Sequence, residues 1–462
     1  MNSSTSKTEI KIAYIGGGSR CWALNLIGDL VLSTQLTGSL VLHDIDHEAA
    51  QYNVRLADVI FAHPAAATRF SVSAEQSLGR ALKGADFVVI SIEPGPTQLR
   101  HADLEIPARH GILQTVGDTT GPGGILRALR CIPTYRGFAR AIMEHCPKAW
   151  VINYTNPMAV CTATLYREAP GIKAFGCCHE VFGTQQKLAR LINDWFKTGL
   201  PERNEIELDI AGVNHFTWAT RAHWRGRDLL PLLRDMVNDE KFFANRRAEA
   251  ETAAAEQRWF DHHFLVACDL LRRFGFLGAA GDRHLAEFVP WYLGSEAELH
   301  RWGVVLTPYS WRLQRSQEPR PTANDQKDLL PSGEEGVQQI EALLGLRPLT
   351  TNVNLPNLGQ MPGFPEHAVV ETYAEFRRDN LRPLLAGPLP EGAACLVKRA
   401  VSEHLLTLDA GFDNNPHAAF QALLNHPLMR LPTDQALIMF SEMLNATADY
   451  LEQPEKWRRF AG

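Results

Sequence analysis

The sequence has no run of about 18 apolar residues, the length a membrane-spanning helix needs. Its opening residues, Met1 to Glu9, are polar and lack the basic-then-apolar layout of a signal peptide. Both absences point to a cytoplasmic protein with no membrane partner. An excess of positive charge is missing too: 46 Lys and Arg face 52 Asp and Glu, a formal net charge of −6. Nucleic-acid binding needs a concentrated basic surface, so no such partner is expected. A small anionic substrate held by one local Arg or Lys stays compatible with that balance. The eight cysteines, from Cys21 to Cys395, are scattered rather than arranged as a framework. That pattern fits reduced thiols and excludes a disulfide scaffold. Internal repeats and low-complexity tracts are absent as well.

What is present is the composition of an ordinary globular chain, 45% hydrophobic and 21% charged. At 462 residues it exceeds the size at which single cores stop growing, so two domains are expected. The first 180 or so residues alternate strand-like and helix-like segments, the mark of a parallel α/β sheet. Strands are expected at Ile10 to Ile15, Leu40 to Leu42, Phe87 to Ile92 and Trp150 to Tyr154. Helices are expected from Cys21 to Leu32 and from about Gly124 to His145. Beyond residue 200 the rhythm changes: strands over Glu205 to Trp224, a long helix over Glu249 to Phe274, and an amphipathic helix over Thr433 to Leu451. Arg315 to Glu335, polar and Pro-containing, reads as a loop, lid or linker. The expected fold is therefore α/β: a Rossmann-like doubly wound domain over 1–200 and a mixed α+β domain over 201–462.

Dinucleotide folds place a Gly-rich turn between the first strand and its helix, so that backbone N–H groups approach the pyrophosphate. Gly16-Gly17-Gly18-Ser19 stands there, with Gly16 and Gly18 in the first two glycine positions of the fingerprint. Cys21 replaces the third glycine. Asp44, 26 residues past Gly18 at the end of the second strand, is expected to bind a ribose hydroxyl and favour NAD over NADP. Without a cofactor, the same glycines would serve only tight packing.

Four further segments are too polar for simple connectors. Asn153-Tyr154-Thr155-Asn156-Pro157 closes a buried strand, the place where parallel sheets hold ligands. Gly176-Cys177-Cys178-His179-Glu180 groups thiols, an imidazole and a carboxylate; Gly212-Val213-Asn214-His215 adds a second imidazole. Gly281-Asp282-Arg283-His284, with Glu287, puts mixed charge between apolar stretches. A thiolate and an imidazole can bind a divalent transition metal if a substrate completes the shell. Taken singly, each is equally a buried thiol or a hydrogen-bonded core histidine.

In their order these motifs, with Asn156-Pro157-Met158 and Cys178-His179-Glu180-Val181, resemble glycoside hydrolase family 4 across almost the whole chain. The segments around Cys178, Ala280 to Phe288 and Thr351-Asn352-Val353-Asn354 are most similar to the family's bacterial α-galacturonidases. Gly117 to Gly124 is also similar to its α-galactosidases, so α-galactoside and α-glucoside stand as alternative substrates.

The resemblance implies NAD-dependent hydrolysis, an exception to the two-carboxylate glycosidases. Hydride leaves carbon 3, a base takes the carbon 2 proton, the aglycone is eliminated, water adds, and the hydride returns. A divalent metal, Mn2+ by resemblance, stabilises the charge developing on the oxygens of carbons 2 and 3. Carried over residue by residue, Cys178 and His215 are the metal ligands, and Asn156 and His179 bind substrate. Asp118 is the acid or holds sugar hydroxyls, unless it only caps the next helix. Asp282 is the base, unless it forms a surface pair with Arg283. A uronate would want a cationic partner, for which Arg283, His284, Arg20 and Arg100 are candidates in that order. A homodimer or homotetramer is also implied. A sugar or hydroxy-acid dehydrogenase is the rival reading, and it would release NADH in proportion to substrate consumed.

Overall fold

The computed structural model describes residues 7–322, 325 and 329–461. Six strands, β1 (Thr8–Ile15), β2 (Leu36–His43), β3 (Phe70–Ala74), β4 (Phe87–Ile90), β5 (Trp150–Asn153) and β6 (Lys173–Gly176), are parallel. Their spatial order is β3-β2-β1-β4-β5-β6. This is the doubly wound dinucleotide order expected from the sequence. In β1, Ile12, Ala13, Tyr14 and Ile15 are all buried, because helices cover both faces of a parallel sheet. Ile12 and Tyr14 pack with helices Trp22–Leu32 and His47–Phe61, whereas Ala13 and Ile15 pack with Gly121–His145 and Met158–Glu168.

The second half continues the same sheet. It adds β7 (Ile206–Val213), β8 (Phe216–Trp224), β9 (Arg227–Asp228), β10 (Leu277–Gly278), β11 (Leu349–Pro356), β12 (Val369–Arg377) and β13 (Asn380–Pro383). Antiparallel β11 joins the edge of β6 at Asn354 and Gly176, followed by β12, β7, β8 and β10. A Cβ on Gly176 would lie 2.9 Å from that of Asn354, so glycine is what lets the two halves meet there. One hydrophobic cluster holds Ile12 and Tyr14 together with Ile340, Val353 and Phe376 from beyond residue 201. No helix among the described residues is long and apolar enough to cross a membrane.

Two elements differ from expectation. The long helix over 249–274 is two helices, Glu240–Ala255 and Leu265–Phe274. Between them Gln257 and Phe264 take positive φ (57° and 65°), which breaks the helix. The Asp282 carboxylate then receives the N–H groups of Leu265 (2.8 Å) and Ala267 (3.0 Å) and starts the second helix. The expected loop from Arg315 is preceded by and partly contained in a helix, Tyr309–Gln317. That helix leads into an extended stretch lying on the glycine turn, where Arg320 donates to Gly18 O (2.8 Å) and Arg20 to Ser316 O (2.9 Å). Residues 323–324 and 326–328 of that segment lie outside the described residues.

Candidate functional site

The glycine turn sits where β1 delivers the chain to helix Trp22–Leu32. Gly16 has φ +94°, and a Cβ there would stand 1.9 Å from Ser91 O, so only glycine fits. Asp44 begins the loop after β2. Its carboxylate accepts from Gly18 N (2.8 Å) and Asp46 N (2.9 Å), which fixes it beside the turn. The Ser19 hydroxyl accepts from Cys21 N and Ala23 N (both 3.3 Å), so it caps the helix rather than pointing away from the fold.

The polar segments noted in the sequence converge at the same edge of the sheet. Asn156 follows β5, Cys178 follows β6, and Asn214-His215 is the two-residue turn between β7 and β8. His215 holds φ +66°, a strained backbone for a non-glycine residue, of the kind that gathers at functional sites. Asp118 comes from the loop before helix Gly121–His145, and His284 from the short helix Asp282–Leu285. Asp118, His215 and His284 offer donor atoms that lie within 4.8 Å of one another, and the two imidazole centroids are 3.7 Å apart.

A hydrogen-bond chain sets the histidine. The Thr119 hydroxyl lies 2.7 Å from Asp118 Oδ1 and 2.8 Å from His215 Nδ1. Its single hydrogen goes to the carboxylate, so Nδ1 must carry a proton and donate to Thr119. That leaves the Nε2 lone pair free. Burial, with His284 close by, pushes the His215 pKa down to about 3, so the ring is neutral. Burial alone would raise Asp118, but His284, His215, Arg100 and Arg127 around it hold its carboxyl well below the usual range. Asn156 Nδ2 stands 3.4 Å from Asp118 Oδ2. Its Oδ1, like His284 Nδ1 and Arg312 Nε and Nη2, is buried without a hydrogen-bond partner. Buried polar atoms are normally satisfied, so a cluster of orphans around one carboxylate and two imidazoles is the imprint of a polar ligand.

Cys178 is buried, its side chain hydrogen-bonds Asn214 next to His215, and Asn352 Nδ2 donates to its carbonyl (3.1 Å). Burial, then Glu371 and Glu180, push its thiol well above its ordinary value, so it is protonated without a cation. Glu371, 1% exposed, accepts from Asn352 (2.7 Å) and Asn214 (3.3 Å). It thereby ties β12 to the loops that carry Cys178 and His215. Burial lifts Glu371 to about 7 against those amide bonds.

A family profile described as "Family 4 glycosyl hydrolase" matches residues 11–194, and its "C-terminal domain" profile matches residues 210–429. The chain belongs to glycosyl hydrolase family 4. It is 44% identical over 457 residues to an α-galacturonidase of Thermoanaerobacterium saccharolyticum, covering 96% of this chain and 97% of that one. It is also 44% identical over 446 residues to an α-galacturonidase of Bacillus subtilis, covering 94% and 97%. The crystal structure of the Bacillus subtilis protein lplD superposes with a TM-score of 0.86 at 42% identity, covering 94% of this chain and 100% of that one. The family and the Rossmann-like fold expected from the sequence therefore hold, and the chain is a glycoside hydrolase acting on a small-molecule glycoside.

Within this family 4 enzyme, the expected residues fall into two groups. Asp118, Asn156 and His215 come together with His284, whereas Cys178 is not part of that donor group and reaches Asn214 next to His215. Asp282, 1% exposed, spends both carboxylate oxygens on the helix start described above, so its assignment as base gives way to a structural one. Arg283 donates to Trp259 O (2.6 Å), Thr115 O (2.9 Å) and Thr307 Oγ1 (2.7 Å). Those bonds brace the loops around it and leave only Nε, of the expected carboxylate partner, without an acceptor. His179 turns toward Glu334 (2.9 Å) and the Trp22 ring. Sequence reasoning missed Glu371 and Arg312. A glutamate inside the apolar run Ala368-Val369-Val370 was a usable signal for the first; the polar helix around Arg312 carried none.

The loop bearing Asp118 and Thr119 is anchored by Glu403, which accepts from Thr120 Oγ1 (2.9 Å) and Gly121 N (3.1 Å) and lies 3.5 Å from His426. Burial raises Glu403 to about 8, although Thr120 and Gly121 pull the other way. The native state thus holds this proton more tightly than the unfolded chain does. The resulting stability is full below about pH 4.3 and is lost as pH rises toward 8. Glu403→Gln, an isostere of the protonated acid, should flatten that slope. In thermal unfolding, the parent protein should lose several degrees between pH 6 and pH 9 and the variant should not. An equal loss in both would remove Glu403 as the cause.

Proposed function

We propose that the chain hydrolyses α-galacturonides, such as oligosaccharides derived from pectin, with NAD and a divalent metal, Mn2+, as catalytic cofactors. The observation that carries this reading is the Asp118–His215–His284 group with its unpartnered neighbours, in a chain 44% identical to α-galacturonidases over nearly its full length. When bound, NAD would lend reversible hydride transfer at the sugar and the metal would lend positive charge beside the oxygens of carbons 2 and 3. The residues present fit both groups. Gly16 and Gly18 leave the turn bare of side chains, Ser19 fixes the helix behind it, and Asp44 is held where a ribose hydroxyl is met.

For the metal, the free Nε2 of His215 and the soft sulfur of Cys178 are suitable donors, with Asp118 and His284 close enough to share the shell. Asn156 Oδ1 can accept from a sugar hydroxyl, and ionised Asp118 can hold another. His179, stacked on Trp22 and paired with Glu334, is a further proposed substrate contact. The eight cysteines are all free, which suits a reducing, cytoplasmic setting. A homodimer or homotetramer, to be read by light scattering, completes the proposal.

The test is a set of p-nitrophenyl α-galacturonide, α-galactoside and α-glucoside assayed with and without NAD, Mn2+ and a thiol reductant. The galacturonide should be cleaved fastest, with many turnovers per NAD and none after NAD is stripped. Cleavage that survives NAD removal would overturn the mechanism. One NADH released per substrate would mean a dehydrogenase.

A further inference from the structure

Arg312 is the least satisfied charged group near the site. It projects from helix Tyr309–Gln317, whose far end is pinned to the glycine turn through Arg20 and Ser316 and whose start meets His101 through the Tyr309 ring. Its Nε and Nη2 are buried and have no partner. Those two nitrogens form one side of the guanidinium and direct parallel N–H bonds at a single carboxylate-sized target.

Its surroundings crowd more positive charge around those unpartnered donors. Burial, then the neighbouring Arg100 and Arg283, lower Arg312 to about 10, with Asp118 and Glu93 opposing. Neither opposing carboxylate is free. Glu93 is engaged by Arg127, with Nη2 3.0 Å from Oε2, and Asp118 by Thr119 and Asn156. Arg283 commits Nη1 and Nη2 to three oxygen acceptors and leaves Nε alone unpartnered, one spare donor against the two of Arg312. Arg100 has only a 3.4 Å contact to Val116 O and a 3.5 Å pairing with the already claimed Glu93. Like charges crowded in a buried place with spare donors call for an anion that the chain itself does not provide.

We propose that Arg312, with Arg100 beside it, is the receptor for the sugar carboxylate, and that this pair separates a uronide from the neutral hexoside of the same ring. The inference rests on the α-galacturonide reading above. It replaces Arg283 with a side chain that has donors to spare. An alcohol at carbon 6 cannot discharge two parallel cationic donors, so a galactoside would leave the fork unpaired.

The experiment compares kcat/KM of the holoenzyme for p-nitrophenyl α-galacturonide and p-nitrophenyl α-galactoside, in the parent, Arg312→Gln and Arg312→Lys. The galacturonide-to-galactoside ratio should fall by about 10²-fold or more in the Gln variant. The Lys variant keeps the charge without the fork, so its ratio should fall by about tenfold. Titration with D-galacturonate should show the same loss of affinity, whereas NADH fluorescence titration should not move. If Arg312→Gln does not fold, as thermal unfolding will tell, Arg312→Lys is read by the same ratio. An unchanged ratio, equal losses on both substrates, or a weakened NADH site in place of the sugar site would overturn the assignment. A parent enzyme inactive on the galacturonide fails the proposed function instead. In that case weaker D-galacturonate binding by Arg312→Gln still supports the receptor, and equal binding overturns it.

Discussion

His215→Ala is expected to lose at least about 10³-fold in turnover and most of the affinity for Mn2+. The side chain is neutral, its Nδ1 proton is engaged by Thr119, and Nε2 is left with a lone pair in a polar group. A bound metal would supply several kcal/mol of charge stabilisation, about 4 kcal/mol for a 10³-fold effect. Removing the ligand forfeits it. Cys178→Ser should behave alike, because a hydroxyl is a far poorer donor than a thiolate for a soft or borderline cation. Thr119→Val removes the oxygen that fixes the ring's tautomer while keeping its shape, and should cost only about 10–100-fold in metal affinity. Calorimetric titration with Mn2+, alongside turnover at saturating NAD, measures all three. Undiminished Mn2+ binding by His215→Ala would remove that residue from the metal site.

How far the sequence reached depends on whether a feature is local. The β1–turn–helix unit, the acid after β2 and the polar strand end at Asn156 are written in consecutive residues, and each stands where expected. The approach of Asp118, His215 and His284 joins two loops and a short helix far apart in sequence, and spacing alone cannot predict it. For Cys178 and His215, resemblance to the family did what residue chemistry could not. Arg312 escaped because its significance is relational: an arginine on a polar helix is ordinary until its neighbours prove to be two more guanidiniums and two occupied carboxylates. The break between helices Glu240–Ala255 and Leu265–Phe274 escaped for a similar reason. The apolar pattern continues across 249–274, and the group that starts the second helix, Asp282, lies beyond its far end.

Asp118 and Asp282, both catalytic candidates by resemblance, should respond oppositely to amidation. Asp118→Asn should lose about 10²–10⁴-fold in kcat/KM, the range of a positioned acid–base or ligand carboxylate, with little change in unfolding temperature. Its carboxylate is ionised, touches Thr119 and Asn156, and holds up no secondary structure. Asp282→Asn should do the reverse. Both its oxygens receive backbone N–H groups in a fully buried place, and an amide can supply only one acceptor while leaving two donors unmatched. The expected loss is about 1–3 kcal/mol of stability, several degrees in a chain of this size, with turnover per folded molecule within about threefold of the parent. Differential scanning calorimetry and assays normalised to folded protein separate the two outcomes. If Asp282→Asn kept its melting temperature and lost turnover, the carboxylate would be the carbon 2 base after all. It would then have to leave the N–H groups of Leu265 and Ala267 to reach the sugar, so the start of helix Leu265–Phe274 would loosen when substrate binds. Hydrogen exchange at those two amides, measured with and without galacturonide, would show it.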